Sequence, residues 1–276
     1  MRYFILFAII CLAGCSSRKK KGIRDQITGN WFILYPDDKL NRKEQREVYG
    51  AAQDSLVNLK GVKLVTFKDN GTFIQWDSTA QSGKWGVSEE DKKLVVRDGG
   101  RGFVNFKTSY ISNEKGEMIL SENLLIDGEE ILLEWHLKRI SGGKYARLFE
   151  PGENTWRRAP ANPETNEQMR NRLSVMLSYY ADYFRLISDE SSYFVPSRVM
   201  LPVRFYQHAI GMNAFDTGHR FVSMFHSVED AEKAYDLLKE VINSAKFDLP
   251  EDEKTKSSFS YEYALMLDIL AKDMKK

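Results

Sequence analysis

Val62-Lys63-Leu64-Val65-Thr66-Phe67-Lys68-Asp69-Asn70-Gly71-Thr72-Phe73-Ile74-Gln75-Trp76-Asp77 holds two β-rich runs joined by Asp-Asn-Gly. Val, Thr, Phe, Ile and Trp suit the pleated, half-buried surface of a strand. Asn70-Gly71 tolerates the positive φ of a tight hairpin turn, so the stretch predicts antiparallel strands over 62–68 and 72–77. Working outward, Gly29-Asn30-Trp31-Phe32-Ile33-Leu34-Tyr35 reads as an earlier strand. Gly83–Val87, Lys93–Arg97 and Phe103–Ile111 follow, parted by clusters of Gly, Ser, Asp or Glu. Glu117–Ile126 and Glu129–Ile140 flank Asp127-Gly128, a second hairpin turn. In the last strand Ile131, Leu133, Trp135 and Leu137 alternate with Leu132, Glu134, His136 and Lys138. That is the period-2 pattern of a strand with one buried face.

Between the first two strands, Asp38–Leu59 changes period. Val48, Ala52, Leu56 and Leu59 recur at four, four and three, which predicts one apolar helical face. Such a helix would either lid a barrel opening or prop the outer wall.

Gly29-Asn30-Trp31 on the first strand resembles the Gly-x-Trp of lipocalins. Phe67-Lys68-Asp69-Asn70-Gly71-Thr72-Phe73, Ser82-Gly83-Lys84-Trp85 and Lys93-Leu94-Val95-Val96 are similar to lipocalin-like domains of bacterial envelope lipoproteins. The resemblance covers about residues 27–141 and implies an eight-stranded antiparallel barrel. It also implies that Arg139, near the end of the last strand, stacks over Trp31, a cation–π pair of ~0.5–2 kcal/mol. Such a barrel holds one small ligand or its own side chains. Trp31, Phe67, Trp76, Trp85, Phe106, Tyr110 and Trp135 are the bulky candidates for its interior, with Arg139 at its end. The long 38–59 insertion departs from the short first loop usual in lipocalins.

The N-terminus reads as an address. Met1-Arg2 precedes an apolar run, Tyr3–Leu12, too short to span a bilayer comfortably. Leu12-Ala13-Gly14-Cys15 resembles a bacterial lipobox, which implies removal of residues 1–14 and acylation of Cys15. Ser16 after the cysteine, where inner-membrane lipoproteins carry an acidic residue, implies sorting to the outer membrane; the expected side is the periplasm, with the exterior as the alternative. Arg18-Lys19-Lys20-Lys21 is either a solvated tether within residues 15–26 or a contact with anionic lipid, at ~1 kcal/mol per basic residue. The two cysteines are Cys11 and Cys15, so a cleaved chain has no free thiol and no disulfide. A formal net charge of +1 gives no electrostatic case for nucleic acid. A hydrophobic content of 42% is enough for folded cores.

Residues 142–161 read as a connector, interrupted by Gly142-Gly143, Pro151-Gly152 and Pro160 and docked by Trp156. Residues 162–276 read as a helical domain. Asn162 and Pro163 suit the start of a helix carrying Met169, Leu173, Met176, Tyr180, Phe184 and Ile187 on one face. A shorter helix is expected over Val203–Met212. Ser227 and Asp230 form a capping-box-like start for a helix through Ala245, and a final helix carries Phe259–Met274.

No catalytic motif stands out. His208, His219 and His226 lie near Tyr206, Asp216 and Arg220, but without any standard zinc spacing and across a strand-like Arg220–Phe225. Phe205, Tyr206, His208, Met212, Phe215 and His219 interleave aromatic, Met, His and Gly residues without a clean period. That composition suits an interface or a buried turn. The expectation is therefore an α+β chain, with an eight-stranded antiparallel lipocalin-like barrel followed by a mostly helical domain. It is expected to be a non-enzymatic envelope lipoprotein, without metal or cofactor, that binds a small hydrophobic molecule or a protein partner. Two rival readings stand beside it: an accessory scaffold of an envelope assembly with a solid barrel, and a hydrolase using His208–His226.

Overall fold

The computed structural model describes residues 22–34, 64–76, 81–88, 90, 93–98, 102–112, 115–126, 128–140, 143–150, 152–190, 202–208, 211–217, 219–247 and 259–276. A short helix, α1 (Ile23–Ile27), leads into eight strands. These are β1 (Gly29–Leu34), β2 (Leu64–Phe67), β3 (Thr72–Gln75), β4 (Gln81–Ser88), β5 (Lys93–Asp98), β6 (Gly102–Ser112), β7 (Glu117–Ile126) and β8 (Glu129–Arg139). The turn expected at Asp69-Asn70-Gly71 sets the register of the whole sheet. Lys68 N–H donates to Thr72 O at 2.8 Å, and Thr72 N–H donates to Asn70 Oδ1 at 3.0 Å. Gly71 has φ +78°, and a Cβ there would sit 3.3 Å from the Trp85 carbonyl oxygen, so both conformation and space favour glycine. Phe67 then faces Phe73, and Val65 faces Gln75.

Each strand pairs antiparallel with the next, and β8 returns to β1 through Trp31–Arg139, Phe32–Lys138, Ile33–Leu137 and Leu34–His136. The result is a strongly curled sheet of uneven height. β2 and β3 are four residues long, whereas β6 and β8 are eleven. Among the described residues, β8 has no β1-side partner before His136, so β6–β8 stand above the seam as a half-barrel wall. The helix expected over 38–59 lies outside the described residues.

Strand parity divides the side chains between two cores. Trp31, Ile33, Val65, Phe67, Phe73, Trp85, Leu94, Met118, Trp135 and Leu137 form the inner one, joined by Ile27 of α1. Phe32, Leu64, Ile74 and Trp76 point the other way, into the core of the C-terminal half. Trp76 was expected inside the barrel. It stands one residue out of step with Phe73 and Gln75 and packs edge-on against Phe149, 6.3 Å between ring centroids.

The connector folds as two 3₁₀ segments, Gly143–Phe149 and Gly152–Arg157, followed by α2 (Asn166–Glu190). Helix α2 starts later than Asn162-Pro163 would place it, because Thr165 and Gln168 form the capping box. Gln168 N–H donates to Thr165 Oγ1 (3.3 Å) and Thr165 N–H donates to Gln168 Oε1 (2.8 Å). The Val203–Met212 helix is not formed. Instead β9 (Val203–His208) pairs with β10 (Gly211–Thr217) as a hairpin with a register shift between Gly211 and Ala214. Val203, Phe205 and Tyr206 are strand formers, and Gly211 breaks the helical run. Arg220–Phe225, expected to be strand-like, begins in the one-turn helix α3 (His219–Val222). α4 (Val228–Ser244) and α5 (Phe259–Asp273) follow. Ser227 Oγ accepts from Asp230 N–H at 3.2 Å, the expected cap.

α2 packs along α5, where fully buried Leu173, Leu177, Ala181 and Phe184 meet Ala264, Leu267, Leu270 and Ala271. Each fully buried Leu or Phe contributes ~1.5–3 kcal/mol relative to exposure. Phe184 meets Tyr263 edge-on at 4.7 Å, and Ser174 Oγ donates to the Ala271 carbonyl at 2.7 Å. Asp182 accepts from both Arg147 and Arg185, and Arg185 donates onward to Asp268. This chain of charges ties the first 3₁₀ segment to both helices. Arg172 clamps Glu164 through Nε and Nη2 (2.8 Å each) and also donates to the carbonyls of Thr155 and Arg158, which fixes the connector against α2.

Candidate binding site in the curled sheet

The end of the sheet near Gly29, Gly71 and Arg139 is sealed. Arg139 donates through Nη1 to Thr28 O at 2.7 Å and through Nη2 to Gln26 O. Its guanidinium carbon lies 4.5 Å from the Trp31 ring centroid. Trp31 Nε1 donates to Ile27 O at 2.7 Å, so α1 is pinned across the opening from both sides. The spacing Gly29-x-Trp31 follows from this contact. Gly29 has φ +139°, and a Cβ there would come within 2.8 Å of Arg139 Nη1. Burial pulls the Arg139 pKa below its ordinary value, yet a guanidinium stays cationic in a protein. Its charge is spent on two carbonyl oxygens and an indole face.

Above this seal lies an aromatic floor. Phe67 packs on Phe73 (5.1 Å) and edge-on to Trp85 (5.3 Å), and Trp85 Nε1 donates to Lys68 O at 2.8 Å. Arg24 of α1 covers the outer side of Trp85 at 5.0 Å and donates to Asp69 O at 2.9 Å. Trp31, Phe67, Trp85 and Trp135 are 0, 2, 5 and 4% exposed, so these four candidates are packed core.

One step further from the seal the chemistry changes. Gln75 follows Phe73 by two residues on β3, Trp135 precedes Leu137 by two on β8, and both continue the inward series. Thr108 on β6 and Trp135 on β8 both sit opposite Leu120 of β7. Gln75 Oε1, Thr108 Oγ1 and Trp135 Nε1 are buried without a hydrogen-bond partner. Gln75 and Thr108 were not foreseen as site residues. The signal was present in the sequence: the Asn70-Gly71 turn pairs Phe67 with Phe73, which puts Gln75 in phase with the interior.

The remaining candidates are placed as follows. Phe106 pairs with Leu94 in the interior series, whereas the register shift between Thr108 and Tyr110 sets Tyr110 opposite Ile119, out of step with Met118 and Leu120. Their side chains lie outside the described set. In the β9–β10 hairpin, Phe205 pairs with Phe215, Tyr206 with Ala214 and His208 with Gly211. Met212 lies where the register shifts, and His219 opens α3. The side chains of these six interface candidates are likewise outside the described set. His226 Nδ1 lies 3.3 Å from the Pro160 carbonyl oxygen, a contact that fastens the connector. Trp156 docks it as expected, 1% exposed and 5.7 Å from the rings of Tyr179 and Tyr180. Cys15 precedes the described residues.

A separate cavity of about 120 Å³ opens between the first 3₁₀ segment, α2 and the C-terminus, lined by Arg147, Ser174, Val175, Ser178, Tyr179 and Lys275. Its Arg147 is already neutralised by Asp182. Among the described residues, no group of three or more His, Cys, Asp or Glu is placed to hold a metal ion, and no helix is long and apolar enough to cross a membrane. The described part of the interior layer carries the amide of Gln75, the hydroxyl of Thr108 and the indole N–H of Trp135. Comparison with protein-family models, with curated proteins and with solved structures finds no match for this chain.

Proposed function

We propose that this chain is a non-enzymatic binding lipoprotein of the bacterial cell envelope. It is held through lipid on Cys15 at the periplasmic side of the outer membrane, and its eight-stranded sheet is a lipocalin-like binding module. One observation carries the reading: the sheet's interior has a sealed apolar floor, and directly above it three buried polar groups stand unpaired. An unpaired buried polar group costs ~1–3 kcal/mol, which a bound molecule that supplies the missing hydrogen bond would offset. The lipobox-like Leu12-Ala13-Gly14-Cys15 supports the location.

A second reading, a scaffold with a solid barrel, draws support from the tight packing of Trp31, Phe67, Trp85 and Trp135. Two measurements on the full chain expressed in a bacterium separate these readings. Metabolic labelling with an alkyne-bearing palmitate should tag the wild type and not Cys15→Ala; equal labelling of both removes the anchor. Native mass spectrometry of the extracted protein should show a bound small molecule. Bare protein together with a crosslinked partner protein would favour the scaffold.

A further inference from the structure

We infer that the cavity between the first 3₁₀ segment, α2 and the residues after α5 binds a small oxyanion of the phosphate class. It lies in the C-terminal half, so it stands or falls independently of the sheet. The cavity measures about 120 Å³, room for several water-sized groups, and is lined by Arg147, Ser174, Val175, Ser178, Tyr179 and Lys275. The lining thus carries a guanidinium, an ammonium and hydroxyls, and no carboxylate. Arg and Lys only donate hydrogen bonds, so this wall calls for a negatively charged occupant rich in acceptors.

The donors are held in place but keep capacity. Arg147 donates through Nε to Asp182 and through Nη2 to the Ser178 carbonyl at 3.1 Å, which fixes the guanidinium and leaves Nη1 without a partner among the described residues. Asp182 also accepts from Arg185, and Arg185 donates to Asp268, so these two Arg and two Asp are neutral as a set. Lys275 then gives the lining its net positive charge. It is exposed and makes no ion pair among the described residues, whereas its neighbour Lys276 is paired with Asp273 at 2.6 Å. A lysine at a helix end often serves the last carbonyls. Here those are already met. Leu270 O accepts from Met274 N–H at 2.9 Å, and Ala271 O from Ser174 Oγ at 2.7 Å. Lys272 O accepts from Lys275 N–H at 3.1 Å, and Asp273 O from Lys276 N–H at 3.2 Å. The Lys275 ammonium is therefore not engaged as a cap, and the negative end of α5 is covered. A tetrahedral oxyanion presents oxygens in several directions, which suits donors arriving from three elements better than a planar carboxylate does.

The test titrates the purified full chain with inorganic phosphate at constant ionic strength, read by phosphorus NMR line broadening and by calorimetry. Acetate and chloride are the comparison anions. The expected result is saturable one-to-one binding of phosphate, about tenfold tighter than either. Lys275→Gln removes a charged donor and should weaken phosphate about tenfold, and Ser178→Ala about threefold. Lys276→Gln removes the same charge one residue away and should leave the affinity within about twofold. Both lysines are exposed, and an unchanged urea midpoint checks that the fold is intact. Glycerol phosphate and a soluble short-chain phosphatidic acid then name the source. Competition by both admits a lipid headgroup, and competition by glycerol phosphate alone points to a free phosphoester; either upholds the site. Three results overturn it: no saturation into the tens of millimolar, equal loss in the two lysine variants, or acetate and chloride binding as tightly as phosphate.

Discussion

Arg139→Leu should loosen the sealed end of the sheet by an amount the geometry sets. The guanidinium donates to the carbonyls of Gln26 and Thr28 and lies over Trp31. A hydrogen bond from a charged donor contributes ~1.5–3 kcal/mol and the stacked pair ~0.5–2, so the gross loss is about 4–8 kcal/mol. The site is only partly buried, so water can reach the freed carbonyls, and leucine regains some apolar contact. Halving the gross figure for those two offsets leaves about 2–4 kcal/mol. Arg139→Lys keeps the charge and loses the fork, and should cost about half as much. Urea denaturation followed by tryptophan fluorescence reads the change. With a slope of ~2–3 kcal/mol per molar, the midpoint of the leucine variant should fall by roughly 1 M at unchanged slope. Limited proteolysis should in parallel cut near residues 22–28, because α1 has lost its clamp. A leucine variant within ~0.5 kcal/mol of wild type, the scatter of ordinary surface changes, would refute the clamp.

Gly29→Ala tests the same seal from the other side. Its φ of +139° and the 2.8 Å approach to Arg139 should cost at least ~1–3 kcal/mol, seen as a lower thermal midpoint. Phe184→Ala, at the α2–α5 contact, should cost ~3–5 kcal/mol in the same denaturation assay. Tyr145 is pushed up to about 12 by burial and by its bond to Asp189, so one phenol should ionise late in an ultraviolet titration and vanish in Tyr145→Phe. A raised folded pKa means that this group's contribution is full below about pH 10, its unfolded value, and is lost as pH climbs toward about 12. At the acid end, burial would raise Asp189, but its bonds from Lys144 and Tyr145 hold it below the usual carboxylate value. Its contribution is therefore present above the unfolded pKa and lost as pH falls through the folded one, and Asp189→Asn should flatten that acid limb of the stability curve.

The sheet was legible because its signals are local. Turn signals at Asp69-Asn70-Gly71 and Asp127-Gly128 and period-2 alternation fix strand order and facing without knowledge of the partner. Trp76 shows where such reading fails. Its size pointed to the interior, but parity sends it outward, where it packs edge-on against Phe149 of the 3₁₀ segment. The start of α2 was misjudged because Asn162-Pro163 and Thr165-Gln168 are both good helix starts, and the reciprocal bonds of Thr165 decide between them. The β9–β10 hairpin was missed for another reason. Pro202 and a mixed pattern look helical when aromatic residues are counted as a helix face, although Val203, Phe205 and Tyr206 favour strands. Gln75 and Thr108 escaped notice because a polar residue in a strand is read as solvent-facing until the register is known.

The outer flank of β1–β3 carries a consequence for how this gene can be cut. Phe32, Leu64, Ile74 and Trp76 share one buried core with residues beyond 142. A transcript stopped at codon 141 would encode a sheet with a greasy side open to water, prone to clump before it could fold. The front and back of the polypeptide are thus bound to be inherited together, and recombination between them should be purged.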